Sequence, residues 1–250
     1  MLILNADDWG RNVETTDKTL DCVKCGAVSA VSAMVFMEDS ERAAAIARER
    51  KIEAGLHLNF TTAFTVANCP AQVLERQRHL ASYLLRSRIS QAVFHPGLIR
   101  SFDYVVRAQI DEYRRLYGAD PQRLDGHHHM HLCENVLLQG LLPAGTLVRR
   151  NFSFYAGEKS IWNRLYRRWS DRRLARRHRL VDLFFSLEPL KDHRFQRIVS
   201  LAREFSVEVE THPIQDDEYR FLKDHLILKW ASDISIANGF QGLPAPLSQN

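Results

Sequence analysis

The chain has 250 residues, 45% of them hydrophobic, and a formal net charge of +4. That length can bury a large core, as one large α/β domain or two small ones, and no apolar run approaches the roughly 20 residues that span a bilayer. The charge is modest and no recognised nucleic-acid motif accompanies it, which argues against a nucleic-acid partner.

In chain order, Leu2-Ile3-Leu4-Asn5-Ala6 reads as a buried first strand ending in Asp7-Asp8-Trp9-Gly10. A helix follows from about Val13 to Cys25, closed by Gly26. Val28 to Phe36 is β-rich, Asp39 to Arg50 is helical with Asp39 or Ser40 placed to cap it, and Ile52 to Asn59 is a third strand. Beyond Pro70 come a helix over about Ala71–Arg88, a loop at His95-Pro96-Gly97, and a helix over Ser101–Tyr117 capped by Ser101 or Asp103 and stopped by Gly118. Arg123 to Leu132 reads as a strand carrying a histidine tract, followed by a helix near Asn135–Leu142 and a strand near Thr146–Asn151. An arginine-rich helix over Ile161–Arg177 leads to a strand, Leu180–Leu187, then a helix from about His193 to Phe205. The last strand is Val207 to His212, stopped by Pro213; the tail from Phe221 is ambiguous and the end from about residue 240 reads as irregular.

Strands alternate with helices and no repeat or linker divides the chain. The expectation is an α/β fold: a single domain over residues 1–250, (β/α) barrel-like and similar to a TIM barrel, with about seven parallel strands. Cys22, Cys25, Cys69 and Cys133 make no disulfide framework at this size, and Cys22-Val-Lys-Cys25 lacks a second pair to complete a zinc site. Reduced thiols and the absence of a signal-peptide pattern lead to the expectation of a cytoplasmic protein.

In such barrels the active site gathers at the C-terminal ends of the strands, and Asp7-Asp8, His57, His127 and His212 all fall at or near predicted strand ends. On a strand, Asp125, His127, His129 and His131 would share a face. Two residues along a strand span roughly 6.6 Å, so one, or two with a bend, could bind the same small cation. Spacing does not select which. One carboxylate with two neutral imidazoles suits Zn, Mn, Fe or, less typically, Mg. A second carboxylate could take a proton from water and a histidine across the site could protonate a leaving group. The chemistry is metal-assisted hydrolysis of an amide or ester. Taken singly each residue has a plainer role: a helix cap for Asp7-Asp8, a hydrogen-bonded core histidine for His57, a strand terminator for His212. Glu208 and Glu210 share the face of His212, and inside a barrel they need partners.

Four motifs, Asn5-Ala6-Asp7-Asp8-Trp9-Gly10, Gly55-Leu56-His57-Leu58-Asn59-Phe60-Thr61, Leu124-Asp125-Gly126-His127-His128-His129-Met130-His131 and Glu208-Val209-Glu210-Thr211-His212-Pro213, stand in the order and spacing of YdjC-like carbohydrate deacetylases, which this chain resembles. The resemblance implies a barrel-like fold, hydrolysis of N-acetyl groups on sugars, a homodimer and a divalent metal ion, magnesium foremost with zinc or manganese as alternatives. It implies Asp8, His57 and His127 as metal ligands, Asp7 as general base and His212 as acid; the choice of His127 comes from the family pattern. Trp9 stands where Phe is more usual, and Gly126 where Ser is common. Rival readings are a metal hydrolase of another amide or ester, and a non-catalytic metal- or sugar-binding protein.

The basic segment from Tyr155 to Arg179 has no counterpart in that pattern. Ile161, Trp162, Leu165, Tyr166 and Trp169 share one helical face with arginines on the other. The plain expectation is an outer helix with its apolar face packed inward. The alternatives are peripheral contact with an anionic membrane, suiting a lipid-linked sugar, or arginine selection of an anionic glycan.

Overall fold

Short apolar runs separated by amphipathic helices fold as parallel crossovers require. In a computed structural model, which describes residues 1–154, 158–224, 236–241 and 243, the elements run β1 (Leu2–Trp9), α1 (Val13–Lys24), β2 (Ala30–Ala33), α2 (Ser40–Arg50), β3 (Glu53–Leu58), α3 (Ala71–Leu84), α4 (Arg88–Ala92), α5 (Ile99–Tyr117), β4 (Arg123–Gly126), α6 (Glu134–Gln139), β5 (Leu147–Val148), α7 (Ile161–Ala175), β6 (Leu183–Ser186), α8 (Asp192–Leu201), β7 (Val207–Thr211) and α9 (Asp216–Lys223). Among the described residues, seven strands make one parallel sheet ordered β5-β4-β3-β2-β1-β7-β6. The sheet curls into a half-barrel. Its edges approach each other through hydrogen bonds from Val148 N–H to Arg179 O (2.9 Å) and from Ser153 N–H to Phe184 O (2.8 Å). The expected α/β, barrel-like architecture is present.

The two faces of the sheet divide by the strand period of two. Leu4, Ala6, Val31, Ala33, Leu56, Leu58, Leu124, Val207 and Val209 join the main core, together with Phe102, Val105 and Tyr113 of α5. The alternate positions carry Asn5, Asp7, Ser32, His57, Arg123, Asp125, Glu208 and Glu210, all buried. Lower on that face a small apolar group, Ile3, Ala30, Leu147, Val181 and Phe240, fills the inside of the curl. The Arg123 guanidinium lies over the Phe240 ring (4.5 Å). The charged layer therefore stands on a dry floor. A Cβ at Gly55 would come within 2.7 Å of the Arg123 guanidinium, so glycine there makes room for it.

Several expected boundaries change. The histidine tract is not a strand: β4 stops at Gly126 and His127–Leu132 form a 3-10 turn, with His128 (φ 53°) and His129 (φ 57°) both left-handed. The shared face expected for His127, His129 and His131 is thereby lost. Asp39 precedes α2 without a side-chain cap bond and pairs with Arg42 instead (2.8 Å), and α5 begins at Ile99, ahead of both Ser101 and Asp103. α9 starts at Asp216, ahead of the ambiguous tail, and runs into it as far as Lys223, held by buried Glu218 and Leu222; residues 244–250, expected to be irregular, lie outside the described residues.

Candidate metal centre

Along a regular strand Asp7 and Asp8 would point to opposite faces. β1 departs from regularity: its pairing with β2 shifts between Ala6 and Trp9, and Asp8 takes a left-handed φ of 64°. Such a conformation costs a non-glycine residue on the order of 1 kcal/mol. It lets neighbouring carboxylates both reach His57, since ligand atoms of Asp8, His57 and His127 lie within 4.8 Å of one another, as do those of Asp7, His57 and Asp125. Trp9 is fully buried and donates Nε1–H to Ala43 O (3.2 Å), so it belongs to the packing.

Asp8 Oδ2 accepts from Arg11 (2.9 Å). Its Oδ1 is buried and makes no hydrogen bond among the described residues, although His127 Nδ1 stands 2.9 Å away and His57 Nε2 3.4 Å away. The tautomer of His57 explains what that oxygen faces. Asp125 is an ionised acceptor, and His57 Nδ1 donates to its Oδ1 (2.7 Å), so in the neutral ring Nε2 presents a lone pair toward Asp8. Lone-pair atoms so close repel unless a proton or a cation lies between them. One carboxylate oxygen and two imidazole nitrogens are a donor set for a divalent metal ion with coordination positions to spare; Asp8, His57 and His127 fit one. Burial disfavours charge on His57, but Asp7 and Asp125 overcome it and push the ring up to about 10. Burial also raises Asp8, yet contact with His127 and His57 holds it well below the usual carboxylate range.

Around this trio runs a charged network organised by Arg149. Its guanidinium donates to both oxygens of Asp7 (2.6 and 2.7 Å), to Glu208 (2.8 Å) and to Glu210 (3.3 Å), and lies 3.2 Å from Asp125. Glu208 and Glu210 thus have the partners that a barrel interior demands. Arg123 and Ser32 donate to Asp125 Oδ2 (2.7 and 2.5 Å). Burial works against ionisation of Asp7 and Asp125, but Arg149 outweighs it and lowers both. Nothing in the sequence marked Arg149 for the site; the only signal was the need of Glu208 and Glu210 for cations.

The remaining histidines take separate places. His131 is buried and neutral, driven down to about 3 by burial, and donates Nε2–H to Arg149 O (3.0 Å). His128 meets the Thr61 hydroxyl (3.1 Å) and stacks on His127 (4.0 Å), while His129 packs edge-on against Phe152 (4.6 Å) and lies 3.6 Å from Glu210. A Cβ on Gly126 would stand 3.0–3.1 Å from His131, so the residue in place of serine gives His131 its seat. His212 follows Thr211, which pairs with Ala6 in the β1–β7 register, placing it next to Asp7 along the strand ends. Burial disfavours its charge, but Asp7, Glu210, Glu218 and Asp8 raise its affinity for a proton. Its Nδ1 is buried and has no hydrogen-bond partner among the described residues.

The chain matches the YdjC-like protein family over residues 1–233. It is 28% identical over 133 residues to a chitooligosaccharide deacetylase of Enterobacter sp. (strain 638), covering 53% of this chain and 50% of that one. It is 30% identical over 144 residues to a carbohydrate deacetylase of Mus musculus, covering 54% and 44%. The chain thus spans about half the length of the relatives it matches. A solved structure from Enterococcus faecalis, of a protein described as a candidate for cellobiose-phosphate cleavage, superposes with a TM-score of 0.62 at 18% identity over 94% of this chain and 95% of that one, a likeness of fold.

Proposed function

The chain belongs to the YdjC-like family, and on that premise we propose that it is a metal-dependent deacetylase of N-acetylated carbohydrates, with residues 1–250 as one deacetylase domain. The observation that carries this reading is the convergence of Asp8, His57 and His127 with Asp7 beside them. A divalent cation held by those three would supply Lewis acidity toward an acetyl carbonyl and lower the pKa of water. Magnesium is the ion the family resemblance implies, and zinc or manganese also suit the donors.

Asp7 is the general base. Arg149 and Asn5 occupy two acceptor sites on Oδ1 and one on Oδ2, so a lone pair of Oδ2 remains for the proton of the attacking water. Arg149 also weakens that base, which suits it to a nucleophile of lowered pKa. His212, whose affinity for a proton the carboxylates about it raise, gives its proton to the departing amine nitrogen. Water and the acetamide are consumed; acetate and a free amino sugar are released. Arg149 fixes the orientation of Asp7, and Asp125 fixes the tautomer of His57.

The test is acetate release from a panel of N-acetylated sugars by chelator-stripped protein, before and after adding Mg, Zn, Mn or Co. Release restored by a metal is the expected result. Release that survives stripping undiminished refutes the metal dependence; tight metal binding without release from any sugar refutes the substrate class.

A further inference from the structure

Helix α7 turns the wrong way for an outer barrel helix. The expected inward packing of its apolar face does not occur: Ile161, Trp162, Leu165, Tyr166 and Trp169 are 71%, 81%, 49%, 38% and 45% exposed. The inward side carries Asn163, Arg167, Ser170, Asp171 and Leu174 instead, of which Ser170 and Leu174 are buried. Asp171, the only acidic residue of the helix, accepts from Arg150 (2.9 Å) and from the backbone and side chain of Asn151 (2.9 Å each). Tyr166 reaches in from its edge to Glu134 (3.1 Å), and Arg167 covers the Phe154 ring (4.9 Å). Polar bonds thus fix the inward side against the segment that carries Arg149, leaving the apolar side outward.

That outward side is also cationic. Arg164, Arg168, Arg172 and Arg176 recur every fourth residue and are exposed. Among the described residues no carboxylate pairs with them. We propose that α7 docks the protein on an anionic phospholipid surface, with Trp162, Trp169, Leu165 and Ile161 entering the headgroup boundary and the arginine row meeting lipid phosphates. Tryptophan and arginine both favour that zone, where an amphipathic ring or a guanidinium on an apolar stem has one wet end and one dry end. A second copy of the chain is the poorer occupant. A two-fold interface through this face sets the same patch against itself, arginine row against arginine row, with no carboxylate between. The inference does not depend on the reaction proposed above.

The test is co-sedimentation of the full chain with vesicles of phosphatidylcholine alone or mixed with phosphatidylglycerol. The protein is expected to pellet with the mixed vesicles, to stay in solution with phosphatidylcholine, and to come off as salt rises. In a variant carrying Arg164→Gln, Arg168→Gln and Arg172→Gln, partitioning should fall about fivefold per arginine. Trp162→Ser with Trp169→Ser should lose binding at unchanged charge. Both variants change only exposed side chains outside the site, so their circular dichroism and soluble-sugar acetate release should match the parent. Three results overturn the proposal: no pelleting with the mixed vesicles, equal pelleting of parent and variants, or self-association of the parent abolished by the tryptophan changes.

Discussion

Asp125→Asn changes one oxygen to an NH2 group and should disable His57 as a proposed metal ligand, although Asp125 is not itself among those ligands. Asp125 Oδ2 accepts from Arg123 (2.7 Å) and Ser32 (2.5 Å) and faces Arg149 at 3.2 Å, while Oδ1 takes the Nδ1–H of His57 (2.7 Å). Asparagine has a single side-chain acceptor. With donors crowded on the Oδ2 side, the amide oxygen must stay there and its NH2 must turn to His57. The imidazole then accepts at Nδ1 and carries its proton on Nε2, the atom that faces Asp8. Loss of such supporting partners costs about 10- to 100-fold in metal affinity, and a forced tautomer puts this variant toward the upper end, about 2.7 kcal/mol. Competition of the stripped protein against a fluorescent zinc chelator measures it directly, with circular dichroism as the control for folding. Parental affinity in a folded Asp125→Asn protein would refute the assignment of His57 as a ligand through Nε2.

Asp7→Asn should keep the metal and lose turnover, whereas His57→Ala should lose both; full activity in metal-replete Asp7→Asn removes Asp7 as base. Arg149→Met strips the cation from four buried carboxylates and should destabilise the fold by about 3–5 kcal/mol at pH 8. The loss should shrink as pH falls, because Asp7 and Asp125, no longer lowered by Arg149, take up protons more readily in the variant, and a urea-denaturation difference below about 1 kcal/mol at pH 8 contradicts this. Burial lifts Glu218 to about 7 despite the His212 N–H it accepts. Its folded pKa exceeds the unfolded one, so wild-type stability should decline as pH rises from about 4.5 to about 7, by at most about 3 kcal/mol. Glu218→Gln keeps the acceptor and should abolish that decline; identical pH profiles for the two proteins would refute it.

The parallel sheet and most of its helices were legible because apolar runs and amphipathic stretches alternate without interruption. Strand ends pointed to Asp7-Asp8, His57 and the histidine tract as candidates, but the choice of His127 within the tract came only from the family resemblance. What the strand period could not convey was backbone that leaves the period. Asp8 and His128-His129 adopt left-handed conformations without glycine, so nothing in composition announced that Asp7 and Asp8 would reach one centre or that the histidine tract would break after its first member. Arg149 was hidden for another reason. It lies just beyond a strand of two residues, Leu147–Val148, and only the curl of the sheet carries it across to Asp7 and Glu208. The orientation of α7 is not legible in the sequence, because amphipathicity gives the apolar face but not its partner.

The interior of the curl holds Asp7, Asp8, Asp125, Glu208 and Glu210 against the guanidiniums of Arg123 and Arg149, with Arg11 at the rim. When all are ionised, five carboxylates face three guanidiniums, an excess of two negative charges. Protons on His57 and His212 and a multivalent cation would balance the same negative charge and would therefore compete for it. Binding a cation should then expel protons into the buffer and raise the unfolding temperature together, in proportion to how far the ion is above its dissociation constant. If the proposed metal dependence holds, the same ion would also be the last ingredient of the fold.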